Sequence, residues 1–200
     1  LRDGREHQAG DRHADDWRFW IPLVCLFTGA RIGEIAQLRV EDVKQEYGLW
    51  FIHIRNDDAT GQTTKSGQSR PAPVHSMLQR IGFLAFVGRE QARATGDGNA
   101  QLFPDLRPND RGQISGVPSR FWRKYLEAIG LKDGGDGFGA HSFRHTLADQ
   151  LRVAGYLDDQ VAVALGHNLK TVTSGYGKLK HGTVKMLSDM IESVLFDGVS

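Results

Sequence analysis

Two hundred residues is the size of one ordinary domain, long enough to bury a hydrophobic core without disulfide or metal support. With AVILMFWYC residues at 40% and 24 glycines, the composition excludes disordered and collagen-like chains. The 25 Lys and Arg against 24 Asp and Glu leave +1, shared as 13 against 13 and 12 against 11 between the two halves. Bulk charge therefore nominates no partner, and a nucleic-acid role must rest on placed residues.

The polar stretch before Trp17 reads as a flexible lead. A start at Leu1 rather than Met suggests a piece of a longer protein. Trp17 to Phe27 is apolar enough for a buried helix, and its single cysteine, Cys25, reads as a small core hydrophobe. One cysteine excludes an internal disulfide and suits a reducing cytoplasm. No apolar run approaches membrane-spanning length, and nothing resembles an export signal. Thr28-Gly29 interrupts the helix, and a second helical pattern runs from Arg31 to Leu38.

Leu49 to Ile54 is rich in strand-forming residues. Gln62 to Lys65, a Ser66-Gly67 turn and Ser69 to His75 suggest a hairpin, with Pro71 and Pro73 confining the last strand to an edge. A small antiparallel sheet of about three strands is expected. Met77 to Ala94 has helical spacing, and Thr95 to Gly116 reads as loop anchored by Leu102-Phe103-Pro104. Pro118 to Ile129 is again helical. Residues 130–139, with five glycines, suggest a mobile loop delivering the chain to His141.

A helix over 141–154 would place Phe143, Leu147, Leu151 and Ala154 on one stripe, with His141, Arg144 and His145 together at i, i+3, i+4. Asp158 is expected to cap a short helix through Leu165, stopped by Gly166, with His167 just beyond. A final helix from Thr183 aligns Val184, Leu187, Met190, Ile191 and Val194.

Arg31, Lys65, His141, Arg144, His167 and Tyr176 form a set with one chemistry in common. Phosphoryl transfer needs cations around the non-bridging oxygens, an acid for the leaving oxygen and a nucleophile, and this set supplies each. Singly, each has a plainer reading. Arg31 can pair with Glu34, Lys65 can be an exposed turn lysine, Tyr176 a loop tyrosine, and His167 a cation at a helix C-terminus. His141 and His145 share the spacing of a zinc pair, but Ser142 stands where a His-Glu-x-x-His protease needs glutamate.

As a set, these residues resemble the tyrosine recombinase, or phage integrase, family. Thr28-Gly-Ala-Arg31-Ile-Gly-Glu34 is similar to its first arginine motif, and His141-Ser-Phe-Arg144-His145-Thr to its His-x-x-Arg box. Leu165-Gly-His167 with Tyr176 resembles its Leu-Gly-His and nucleophilic tyrosine pair, and the motifs follow the family order across residues 17–180. The chain departs from the pattern at Ala30, where a bulky residue is usual, and at Lys178, where histidine is frequent. Lys65 is located by its hairpin rather than by a tight motif, with Lys44 the nearest alternative.

The resemblance implies an α+β, mainly α-helical catalytic domain with a small three-stranded antiparallel sheet. A separate N-terminal core-binding domain would lie outside this chain. It implies that Arg31 and Arg144 clamp the scissile phosphate of double-stranded DNA and that Tyr176 attacks it. Lys65 would protonate the departing 5′ oxygen, and His141 and His167 would support the phosphate and the tyrosine proton. No metal or cofactor is called for. Assembly to a tetramer on paired sites is implied, with accessory DNA-bending proteins as candidate partners and no membrane. The C-terminal helix of such proteins often docks on a neighbouring protomer, so here it is expected to be mobile or packed in cis, with the isolated domain monomeric. A type IB topoisomerase-like enzyme and a non-catalytic DNA-binding regulator remain as alternatives. Lysine is usual in the former where His141 stands.

Overall fold

The computed structural model describes residues 16–133, 136–166 and 181–196. Asp16 accepts the Arg18 backbone N–H at 2.9 Å, a side-chain cap for helix α1 (Trp17–Thr28). Trp20, Ile21, Val24 and Cys25 of α1 are fully buried, as the apolar run predicts. Gly29 ends α1 at a φ of 61°, a left-handed conformation that favours glycine, and the chain turns into α2 (Ile32–Ala36). Arg31 is the residue before α2, and α2 stops short of the expected Leu38.

A 3₁₀ turn over Val40–Asp42 leads to strand β1 (Val43–Glu46), which pairs antiparallel with β2 (Leu49–Ile54), and β2 pairs with β3 (Arg70–Pro73) at the sheet edge. The three-stranded antiparallel sheet is present, but its membership differs from expectation. Val43–Glu46 replaces Gln62–Lys65 as a strand. Tyr47 and Gly48, both at positive φ, make the two-residue turn joining β1 to β2, while only Val43 of β1 is buried, so the strand lacks an apolar signature. Residues 62–65 belong instead to the loop between β2 and β3, where a single backbone bridge from Gln62 to Asp57 and the side chains of Gln37 and Asn56 take the place of a ladder.

The expected helix over Met77–Ala94 is two helices, α3 (Ser76–Arg80) and α4 (Phe83–Arg93), separated at Gly82 with φ 98°. Leu102 and Phe103 anchor the following loop in the core. Helix α5 (Gly116–Ala128) carries Pro118 in its first turn. Within the glycine-rich segment, expected to be loop throughout, β4 (Lys132–Asp133) pairs with β5 (Asp136–Gly137).

Helix α6 (Ser142–Val153) buries Leu147 and Leu151 as predicted, but Ala154 is exposed, and Arg144, expected beside His141 on the polar face, is buried. Helix α7 (Asp158–Leu165) is preceded by Leu157, not capped by Asp158. The Leu157 backbone N–H donates to Gln160 Oε1 at 2.9 Å, and Gly166 ends the helix at φ 71°. Helix α8 (His181–Glu192) starts two residues earlier than expected.

Two clusters make the core. The larger joins α1 through α4, the sheet and the Leu102–Leu106 loop, and the smaller joins α6, α7 and α8. Helix α8 packs on its own domain: Val184, Leu187, Met190 and Ile191, with Val194 just past its end, are buried, four of these five in the smaller cluster against Leu147, Leu151 and Val161. Beyond its end, Phe196 meets Phe27 edge-on at 5.1 Å, and Glu192 accepts from the Ser76 N–H and hydroxyl at 2.6 Å each. Among the described residues no helix is long and apolar enough to cross a membrane.

Candidate active site

Four pieces of chain meet at one cleft of about 540 Å3: the α1–α2 break, the β2–β3 loop, the start of α6 and helix α7. Arg31, Lys65, His141, Arg144 and His145 all line it. Asp158 and Asp159 line it too, so the cleft is not uniformly basic. His167 and Tyr176 lie outside the described residues. Lys44, the alternative lysine, is on β1, where it faces Glu46 at 3.8 Å, and it does not line the cleft.

Arg144 is held from two sides. Its Nη1 donates to the Gly29 carbonyl at 2.6 Å and its Nη2 to the Leu165 carbonyl at 2.7 Å. Gly29 and Leu165 end α1 and α7, so the guanidinium satisfies carbonyls that helix termini leave without intrahelical partners. The approach is close: a Cβ on Gly29 would collide with Leu165 and Leu147. Phe143, one residue before Arg144, packs on Trp122 at 5.4 Å and ties the start of α6 to α5.

Arg31 is positioned by its own helix. Glu34 accepts the Arg31 backbone N–H at 3.0 Å through Oε2 and its Nη1 at 2.9 Å through Oε1. The pairing of Arg31 with Glu34 is therefore present, and it holds Arg31 at the cleft rather than away from it. Glu34 is itself buried, and a third guanidinium, that of Arg70, stands 3.8 Å from its Oε2. Arg70 also donates to the Ala164 carbonyl at 3.4 Å, one residue before the carbonyl taken by Arg144. An added Cβ at Gly166 would strike the Arg70 side chain.

These cations crowd one another. Burial, then Arg31, lowers the Arg144 pKa to about 10, and burial lowers that of Arg70 to about 10 against the opposing pull of Glu34. Both stay charged at neutral pH. Partial burial, followed by the charges of Arg31, His145, Lys65 and Arg144, pushes His141 below the usual imidazole range. A cleft in which fixed cations repel each other and hold a histidine neutral is preorganised for an anion, whose arrival relieves that repulsion.

Sequence reasoning missed three contributors. His145 lines the cleft alongside His141, four residues apart on one helix face, a spacing already visible in the chain. Glu34 is legible in the sequence only as a structural partner of Arg31. Arg70 carried no signal, because its contact with Ala164 spans 94 residues of sequence.

A helical frame that brings two arginines, a lysine and a histidine from three segments to one cleft has the architecture of a tyrosine recombinase catalytic domain. The chain belongs to the phage integrase family, whose model matches residues 17–182. It is 27% identical over 183 residues to the tyrosine recombinase XerA of Pyrococcus horikoshii, covering 90% of this chain and 55% of that protein. It is likewise 27% identical over 172 residues to XerA of Pyrococcus furiosus, covering 86% of this chain and 52% of that protein. The solved structure of XerH site-specific recombinase bound to its difH substrate before cleavage shares the fold, with a TM-score of 0.51 at 22% identity over 76% of this chain and 40% of that one. The chain spans about half the length of the curated relatives it matches.

Proposed function

We propose that this chain is the catalytic domain of a site-specific recombinase that breaks and rejoins double-stranded DNA through a 3′-phosphotyrosyl intermediate. The observation that carries this reading is the shared cleft in which the cations Arg31, Lys65 and Arg144, with His141 beside them, suit a phosphodiester at its transition state. Arg31 and Arg144 bind the non-bridging oxygens. The Tyr176 hydroxyl oxygen forms a bond to phosphorus while the bond from phosphorus to the 5′ oxygen breaks, and its proton passes to His141 or His167. Lys65 Nζ donates the proton that the 5′ oxygen takes on leaving. A free tyrosine, with a pKa of about 10, is mostly protonated at neutral pH, so a neighbouring base and the cationic field both aid its attack. The phosphotyrosyl bond conserves the energy of the broken one, so a second strand rejoins without a nucleotide cofactor.

The rest of the DNA grip belongs, in this reading, to a core-binding domain outside this chain. The working assembly is a tetramer on paired sites in the cytoplasm, aided by accessory DNA-bending proteins. The cis-packed α8 would then exchange onto a neighbour, and deleting residues 183–200 would weaken synapsis more than binding to a single site.

The test is a nicked suicide substrate with the intact protein. A covalent protein–DNA band should form with the unaltered chain and disappear in Tyr176→Phe, while DNA binding stays nearly unchanged. An undiminished band in that variant overturns the assignment, and no band from the unaltered protein favours a regulator. Cleavage should persist under exhaustive chelation, because the arginines and Lys65 fill the roles a divalent ion would take. A strict metal requirement contradicts the mechanism.

A further inference from the structure

Lys65 is exposed on an irregular loop, whereas general-acid catalysis requires its ammonium within hydrogen-bonding reach of one oxygen. What fixes that loop is a side chain from the helix that Arg31 opens. Gln37, the residue at the end of α2, accepts the Thr63 backbone N–H at 3.1 Å through Oε1 and donates to the Thr63 carbonyl at 2.6 Å through Nε2. One amide thus holds both main-chain groups of a residue two positions before Lys65, copying the paired bonds of an antiparallel ladder where no strand exists. Bonds to the two peptide units that flank Thr63 fix its orientation as well as its distance.

Neighbouring contacts complete the anchor. Gln62, fully buried, donates to the Asp42 carboxylate at 2.7 Å and to the Gln37 carbonyl at 3.4 Å. Asn56 Oδ1 accepts the Thr64 N–H at 3.0 Å. The Thr64 hydroxyl then donates to the Gln68 carbonyl at 2.9 Å and accepts the Gln68 N–H at 3.0 Å, closing the turn that displays Lys65. Among these anchors, Gln37 ties the loop to the short helix whose other end is Arg31.

We propose that Gln37 is a positioning residue for Lys65: by gripping Thr63 it fixes the distance between the lysine that protonates the leaving oxygen and the arginine that binds the phosphate. This rests on the role given to Lys65 above. Loss of the grip lets the loop drift, and a misplacement of about 1 Å in a reacting group costs up to about a hundredfold in rate. The effect should fall on proton donation alone, because neither arginine touches Gln37.

A leaving group that needs no proton separates these effects. Single-turnover cleavage by the intact protein is compared on ordinary DNA and on DNA carrying sulfur in place of the bridging 5′ oxygen, since a thiolate departs without an acid. Gln37→Met keeps the length and loses both bonds. It should cleave ordinary DNA about tenfold more slowly, cleave the sulfur substrate at the unaltered rate, and bind DNA with unchanged Kd. Lys65→Ala should show the same pattern, more strongly. Gln37→Met that is slow on both substrates, or slow on neither, overturns the inference. Lys65→Ala that stays slow on the sulfur substrate overturns the acid role of Lys65 itself, a different result that is visible without any Gln37 variant.

Discussion

Arg144 and Lys65 face the same cleft from opposite kinds of support. Arg144 is buried at 6% exposure and bonded to two helix-terminal carbonyls from α1 and α7, so its position is determined by the packing of three helices. Lys65 stands exposed on a loop that borrows its rigidity from Gln37, Asn56 and Gln62. The difference follows their proposed work. A group that only stabilises charge is best built into the frame, where preorganisation costs nothing at the moment of reaction. A group that hands over a proton must reach the leaving oxygen, and an exposed loop anchored by side chains lets the lysine extend into the cleft while its base stays in place.

The contrast is broken most directly at the rigid end. Arg144→Ala should lower the single-turnover cleavage rate by about a thousandfold and weaken DNA binding as well, since one guanidinium serves frame and phosphate together. Arg144→Lys should recover little, because an ammonium lacks the planar fork that spans two carbonyls while facing an anion. A lysine variant with near-normal rate would show that charge alone matters at this position.

Glycine substitution tests the frame without removing a charge. Gly29→Ala places a Cβ against Leu165 and Leu147 at a left-handed position, and should destabilise the domain by about 2–4 kcal/mol in urea unfolding. Gly67→Ala, in the Lys65 loop, is also at positive φ, but an added Cβ meets nothing within 4 Å, so only the backbone penalty of about 1 kcal/mol is expected. Equal losses at the two sites would erase the distinction between the packed and the open side.

Glu34→Gln leaves a hydrogen-bonding side chain but removes the charge that Arg31 and Arg70 share, and should slow cleavage about tenfold with a smaller change in affinity. The smallest effect concerns His141. Because Arg31 is the largest charge lowering its pKa, Arg31→Gln should move the pKa upward, toward the free value of about 6.5, and this is readable from the imidazole proton shifts by NMR. Removing a cation makes the next proton easier to bind, so the sign is fixed. In the unaltered domain, the neutral ring contributes stability that is present above about pH 6.5 and lost as pH falls through the lowered folded value. An unchanged imidazole pKa in Arg31→Gln would place Arg31 outside the electrostatic reach of His141.

Much of this was legible in the chain because it depends on near neighbours. The apolar run of α1, the Gly29 and Gly166 stops, the Leu147 and Leu151 stripe and the α8 face all follow from local periodicity and backbone chemistry. Strand β1 is hidden because three of its four residues avoid the core, and residues 62–65 imitate a strand although one bridge to Asp57 and the side chains of Gln37 and Asn56 satisfy their backbone where a ladder would. The break at Gly82 has no sequence signature because apolar spacing continues on both sides of it.

The sequence by itself singled out the groups that line the cleft: Arg31, His141 and Arg144 sit in motifs with recognisable local order, and Lys65 lies in the turn segment between β2 and β3. Only the tertiary structure decided how they are held. Arg144 moved from the expected polar face into the interior because two carbonyls, 115 and 21 residues distant, needed a donor. Arg70 joined the site through Glu34 and Ala164, and Gln37 became the anchor of a loop 26 residues away. Spacing within one helix or turn fixes what a residue presents locally, but a buried polar group takes its partner from whatever chain the core brings alongside, and no local pattern encodes that choice.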